Sequence, residues 1–278
     1  MENNSSPLQK YRRQPKLYID LPSKGQWYKQ GALEKVEELE VYSMTANDEI
    51  LTKTPDALLT GNAIVKIIEN CIPSIKNAGS VTNRDLDYIL AAIRIASYGD
   101  SITVGHKCSQ CKNEDQFALA LQPVMDHLSS VQPVYEIKVK DFVFRLRPLL
   151  YKEMVENQIL TTQVRRQAFE ISDSEKDIAK RTELLNSLYE SINDKTKKVI
   201  CSIVTEIITP EGDSETNPIF IEDFILNSEG DYYDAIQKTY TGNNEKMTIP
   251  NSEIECSECG HVDTIRPNLD YSNFFLRR

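Results

Sequence analysis

Ile102-Thr103-Val104-Gly105-His106-Lys107-Cys108-Ser109-Gln110-Cys111 and, far along the chain, Ile254-Glu255-Cys256-Ser257-Glu258-Cys259-Gly260-His261-Val262 decide the fold between them. In each, a Cys-x-x-Cys pair sits where a run of alternating apolar residues breaks into a tight turn. Two residues between cysteines let one turn aim both thiolates, with backbone N–H groups, at a single ion. Zinc takes four such ligands tetrahedrally in structural sites. Cys108, Cys111, Cys256 and Cys259 are therefore read as ligands of one structural Zn2+ per chain. The knuckles then become the halves of a discontinuous zinc ribbon, at 101–122 and 250–270, since ribbon halves need not be close in sequence.

Other readings of these cysteines compete. Four coincidental core thiols would be expected among apolar neighbours, whereas both pairs lie among polar ones. A redox Cys-x-x-Cys expects a thioredoxin-like βαβ context, which neither pair has. His106 and His261 flank the knuckles, and either could replace a thiolate or take a second-shell or solvent-facing place. Cys71 and Cys201 are lone cysteines in apolar helical patterns and read as core. A catalytic zinc keeps one position open, and four thiolates leave none.

Working outward, strands are expected at Ser101–Gly105 and Gln116–Leu121, flanking the first pair. A hairpin follows, because Tyr135, Ile137 and Val139, then Phe142, Phe144 and Leu146, alternate with other residues. Upstream, Val36–Tyr42 reads as a strand and Thr45 with Asp48 as the cap of a helix through Leu51. Asn62 opens a helix carrying Ile64, Ile67, Ile68, Cys71 and Ile72 on one face, stopped by Pro73. Thr82 and Asp85 read as a second capping box, with Leu86, Ile89, Leu90 and Ile93 buried and Gly99 at the end. From Leu150 to Tyr240 the pattern is helical. Ser172 and Glu175 read as a capping box, Val199–Ile208 is read as helical from its apolar spacing, and Asn217-Pro218 opens a further helix. No internal repeat is read.

The expected class is α+β: a mixed helical domain with short antiparallel β elements, a discontinuous zinc ribbon, and a helical insertion between the ribbon halves. The expected segments are an extended N-terminal arm at 1–34, an α+β core segment at 35–100, the ribbon halves, and a β-hairpin plus helical insertion at 132–245. The arm carries Pro7, Pro15 and Pro22 and the turn signal Pro22-Ser23-Lys24-Gly25, with enough aromatic surface in Tyr18, Trp27 and Tyr28 to dock.

At 278 residues, with 40% hydrophobic and 27% charged, the chain can build a substantial core. No apolar run approaches the roughly 20 residues of a membrane-spanning helix. The N-terminus lacks the pattern of a secretion signal, so a cytoplasmic product is expected. A net charge of −10 argues against a surface adapted throughout to nucleic acid. Lys10, Arg12, Arg13, Lys16, Lys24 and Lys29 nevertheless make the arm basic against Glu2 and Asp20. Such an arm could pack on its own acidic body, on a neighbour's, or on nucleic acid. Walker, GxGxxG, GxSxG and HExxH motifs are all lacking, His127 has no recognisable partner, and Asp85 and Asp87 read as dipole-stabilising acids in a first helical turn. No enzyme is expected.

Several stretches, taken in order, resemble a known family: Leu21-Pro-Ser-Lys-Gly-Gln-Trp-Tyr28, Met44-Thr-Ala-Asn-Asp-Glu49, Leu58-Leu-Thr-Gly-Asn62, and Asp85–Tyr98 with Arg94 and Ser97-Tyr98-Gly99. Cys108–Cys111, Cys256-Ser-Glu-Cys-Gly260 and Asn273-Phe-Phe275 complete the set. The order is similar to the baseplate hub family of T-even-like contractile-tailed bacteriophages, which includes a hub subunit and a hub-assembly factor. The likeness spans roughly the first 120 residues and the last 25. It implies a non-enzymatic structural or assembly role in the virion tail baseplate, with assembly in the host cytoplasm and other baseplate or hub proteins as partners. Several copies in a symmetric assembly would fit. Trp27, Tyr28, Phe274 and Phe275 are the candidate interface residues, each of which could equally complete its own core. The rival functions are a nucleic-acid-binding zinc-ribbon protein, such as a phage transcription accessory factor, and a hydrolase whose site carries no familiar motif. Glu114, Asp115, Glu255 and Glu258 on the knuckles count against nucleic acid.

Overall fold

The computed structural model describes residues 8, 11–54, 60–174 and 176–266. In chain order the elements are β1 (Leu17–Ile19), β2 (Leu39–Val41), α1 (Ala46–Leu51), α2 (Asn62–Cys71), a 3-10 turn (Ala78–Ser80), α3 (Asn83–Tyr98), β3 (Ser101–Lys107), β4 (Glu114–Ala120) and α4 (Gln122–Ser130). They continue with β5 (Glu136–Val139), β6 (Phe142–Leu146), α5 (Tyr151–Ser174), α6 (Ile178–Ser202), β7 (Val204–Ile208), β8 (Ser214–Glu215), α7 (Pro218–Asn227), α8 (Gly230–Met247), β9 (Ser252–Glu255) and β10 (Val262–Ile265). The class is α+β, and every strand pairing is antiparallel. The described residues form two compact units, one from those up to 130 together with 249–266, the other from those of 131–248.

In the first unit, α2 and α3 supply the apolar core. Ile64, Ile67, Ile68 and Cys71 of α2 and Leu86, Ile89, Leu90 and Ile93 of α3 are all buried. Their i, i+3, i+4 recurrence puts one face of each helix inward. The Thr45–Asp48 capping box opens α1 with both reciprocal bonds present. Gly99 closes α3 at φ +99°, in the range that favours glycine.

The expected capping box at Thr82 and Asp85 does not form. Thr82 Oγ1 donates to Asp85 Oδ2 (3.0 Å) instead of accepting a backbone N–H. Asp85 is engaged by the arm: Ser23 N and Oγ donate to its two oxygens at 2.8 and 2.6 Å, and Tyr28 OH donates at 2.9 Å. Burial raises Asp85 above the usual carboxylate range, and these donors offset part of that effect. Gly25 makes the docking turn possible; its φ is +74°, and an added Cβ would collide with Val36 Cγ1. The strand expected over Val36–Tyr42 shortens to β2, because Glu38 has φ +50° and bends the chain before pairing begins. The helix α4 was not anticipated. Its Val124, Met125 and Leu128 are buried, on a segment too short to give a strong period.

In the second unit, the sheet order is β5-β6-β7-β8. The run Val199–Ile208 is not one helix: α6 ends at Ser202 and β7 begins at Val204. Apolar spacing cannot separate strand from helix over so short a run, and β-branched residues favour the pleated surface. Pairing with β6 decides the matter, with Val143 opposite Ile208 and Phe144 opposite Ile207. Ser172 lies inside α5, its hydroxyl donating to Ala168 O (2.7 Å). Its expected capping partner Glu175 falls outside the described residues, and α6 is capped by Asp177, which accepts from Ala179 and Lys180. Asn217 caps α7 as expected. Phe142, Phe144, Phe224 and Tyr232 form the aromatic centre, with ring centroids 5.2–5.7 Å apart. Asn243 accepts from Val134 N and donates to Val134 O (2.8 and 2.7 Å), pinning the chain ahead of β5 to α8.

Candidate metal centre

β3 and β4 pair from Ser101 with Ala120 to Lys107 with Glu114, which leaves Cys108–Asn113 as the turn. β9 and β10 pair from Ser252 with Ile265 to Glu255 with Val262, which leaves Cys256–His261 as the second turn. The two turns are built alike. Cys108 N donates to Asn113 O and Lys112 N to Cys108 O; Cys256 N donates to His261 O and Gly260 N to Cys256 O. In both, the fourth residue after the first cysteine lies in the left-handed region, Lys112 at φ +65° and Gly260 at +68°. The first cysteine of each pair is buried and the second exposed.

All four sulfurs lie within 4.8 Å of one another. Cys108 Sγ and Cys259 Sγ are 3.7 Å apart, and Cys111 Sγ and Cys256 Sγ 3.5 Å. A tetrahedron with Zn–S bonds of about 2.3 Å has edges of about 3.8 Å, so the donor set fits that ion by number, softness and spacing. The Cys111 backbone N–H, directed at the Cys108 sulfur, brings that thiol down to about 6. Cys111 receives the Asn113 N–H, yet desolvation and the sulfurs of Cys259, Cys256 and Cys108 push it up to about 12. Four thiols so close cannot all ionise unless a cation offsets their mutual repulsion.

Neither flanking histidine joins the sulfur set. His106 Nε2 lies 2.9 Å from Asp263 Oδ2, and His261 Nε2 lies 3.4 Å from Asp263 Oδ1. Asp263 also accepts from Ser109 N (2.9 Å) and Ser109 Oγ (2.6 Å), which hold it well below the usual carboxylate range. Across the site, Asp115 Oδ2 accepts from Ser257 Oγ (2.7 Å) and Ser257 N (3.2 Å) and is lowered in the same way. The sequence reading missed both contacts, although a signal was present. Cys-Ser-x-Cys-x-x-x-Asp occurs at 108–115 and again at 256–263, so a short internal repeat does exist. The space lined by His106, Cys108, Asp115, Phe117, Ile254, Cys256 and Asp263 has no room for a water molecule.

Among the other candidates, Trp27 and Tyr28 are half-buried in the first unit, with the Tyr28 hydroxyl committed to Asp85. Phe274 and Phe275 lie outside the described residues. Three of the stretches that suggested a family, 21–28, 44–49 and 85–98, also meet in this unit. The arm grips the first turn of α3 at Asp85, while Met44 N donates to Ser97 Oγ (2.9 Å) and Tyr98 OH to Glu49 Oε1 (3.1 Å) at its last turn. Arg94 stacks on the Tyr98 ring at 4.5 Å. The basic arm also uses Arg13 within the chain: its guanidinium donates to Asn70 O and Oδ1 and lies over the Tyr42 ring. Among the described residues, no helix is long and apolar enough to cross a membrane.

A family model described as T4 bacteriophage base plate protein matches residues 15–276. No curated protein and no solved structure matches the chain.

Proposed function

The chain belongs to the T4 bacteriophage base plate protein family, and from that premise we propose that it is a structural or assembly component of the baseplate hub of a contractile phage tail. One structural Zn2+ holds it in shape, and it acts through contacts with other baseplate or hub proteins. The observation that carries this reading is the extent of the match, residues 15–276, which includes both cysteine pairs. Cys108, Cys111, Cys256 and Cys259 are the ligands. When bound, the ion supplies no reactive position; it cross-links β3–β4 to β9–β10 and puts its coordination energy into folding. The function is non-enzymatic and resides in surfaces that the clasp positions. An acidic chain with acidic knuckles fits protein contacts better than a nucleic-acid phosphate backbone.

Mass spectrometry of purified virions, with affinity capture of this chain from infected cells, tests the role. Recovery in virions identifies a retained subunit. Absence from virions together with capture of hub proteins identifies an assembly factor. Absence from both, or salt-dependent DNA binding without tail partners, overturns the reading.

A further inference from the structure

We infer that Asp115 and Asp263 are positioning residues of the metal centre, each reaching from one knuckle hairpin to lock the turn of the other. This rests on the zinc reading of the four cysteines. The repeated Cys-Ser-x-Cys-x-x-x-Asp pattern places a carboxylate on the strand leaving each turn, four residues beyond the second cysteine. Each carboxylate crosses to the serine that directly follows the first cysteine of the opposite pair. It takes both the N–H and the hydroxyl of that serine: Asp263 from Ser109, Asp115 from Ser257. Two bonds from one carboxylate to adjacent donors of one residue fix the orientation of the peptide that joins Cys108 to Ser109, and of its counterpart at Cys256–Ser257. Those peptides set the direction of the two buried cysteine side chains.

Charge supports a positioning role. A carboxylate beside four thiolates raises the repulsion there, so Asp115 and Asp263 are poorly placed to offset the charge of the sulfurs, although Asp263 also faces His106 and His261. Their hydrogen bonds are the gain. In the first turn the other amides already serve the hairpin and the sulfurs: Cys108 and Lys112 N–H donate to Asn113 O and Cys108 O, and the Gln110, Cys111 and Asn113 N–H groups face sulfur, which leaves the Ser109 N–H to Asp263. The locks are reciprocal, so neither half is complete without the other. Two-stranded ribbons of four residues, like β9–β10, are marginal alone. Outer-shell groups of this kind commonly change metal affinity about 10–100-fold when removed.

The test uses the full reduced chain and four single variants, Asp115→Ala, Asp263→Ala, Ser109→Ala and Ser257→Ala, with the doubles Asp115→Ala/Ser257→Ala and Asp263→Ala/Ser109→Ala. Zinc stoichiometry is read first. Zinc affinity then comes from competition with a chromophoric chelator, and the ligand field from cobalt(II) absorption. We expect the parent and all variants to bind one zinc. Each aspartate variant should bind about 10–100-fold more weakly with an altered cobalt spectrum, and each double should be little worse than its aspartate single. Asp115→Asn, which keeps an acceptor oxygen, should recover part of the loss. A parent with one zinc whose aspartate variants match it in affinity and spectrum overturns this inference alone. So do doubles whose losses multiply, which would show that aspartate and serine act separately. A folded parent that takes up no zinc overturns the zinc reading and this inference with it.

Discussion

Residues 131–248 and the unit built from 1–130 and 249–266 solve the folding problem by opposite means. The first is continuous in sequence and closes on an aromatic and aliphatic centre in which Phe144 and Ile236 are fully buried. Polar fixings, such as buried Asn243 on Val134, supplement that centre. The second also has an apolar centre, at α2 and α3, but its arm and its last hairpin dock through polar chemistry. Asp85 gathers the arm, and the sulfurs with Asp115 and Asp263 join hairpins from distant parts of the chain. A dense apolar core tolerates the loss of any one hydrogen bond; a polar junction between distant segments fails at single residues. The contrast predicts one unit sensitive to point changes at carboxylates and, on the proposed zinc reading, to metal removal, and the other sensitive to cavities.

Removing the metal should break the comparison most sharply. A strong chelator, followed by amide exchange on the full chain, should strip protection from 101–120 and 252–265 and leave 136–146 and 204–208 protected. Structural zinc sites contribute about 10 kcal/mol or more of apparent binding energy. The mirror experiment is Phe144→Ala, which should cost about 3–5 kcal/mol in denaturant unfolding of residues 131–248 while zinc content stays unchanged. Asp85→Ala should cost roughly 2–4 kcal/mol, because the buried donors of Ser23, Tyr28 and Thr82 are left without an acceptor. Limited proteolysis should then cut near Lys24. The smallest effects sharpen the likeness of the two knuckles. Lys112→Gly should stabilise by about 0.5–1 kcal/mol and Gly260→Ala should destabilise by about 1 kcal/mol, both read as shifts in thermal midpoint, since only glycine adopts that backbone region without strain.

Local patterns were legible where local chemistry decides the outcome. The alternation around β5–β6, the Thr45–Asp48 box and the Asn217 cap could all be read directly, and the spacing of the cysteines pointed to the cluster that the structure brings together. Reading failed where a distant residue competes. Asp85 has the position of a capping acid, yet Ser23 and Tyr28 claim it, and nothing in residues 82–85 announces them. Val199–Ile208 changes from helix to strand midway because β6 lies ready to pair. The aspartate locks were visible as a spacing, but attention to thiol chemistry alone passes over a carboxylate four residues away. Whether such a carboxylate reaches the opposite turn depends on how the hairpins face each other, which a linear pattern does not encode.

The central claim is that a four-thiolate zinc joins the two hairpins of the first unit. Metal analysis of the purified, reduced, full-length chain tests it most directly, with Cys108→Ser/Cys256→Ser measured alongside. The account predicts about one zinc per chain, lost in the double variant together with amide protection of 101–120 and 252–265. Parent protein that is free of metal yet fully protected across both hairpins would contradict it.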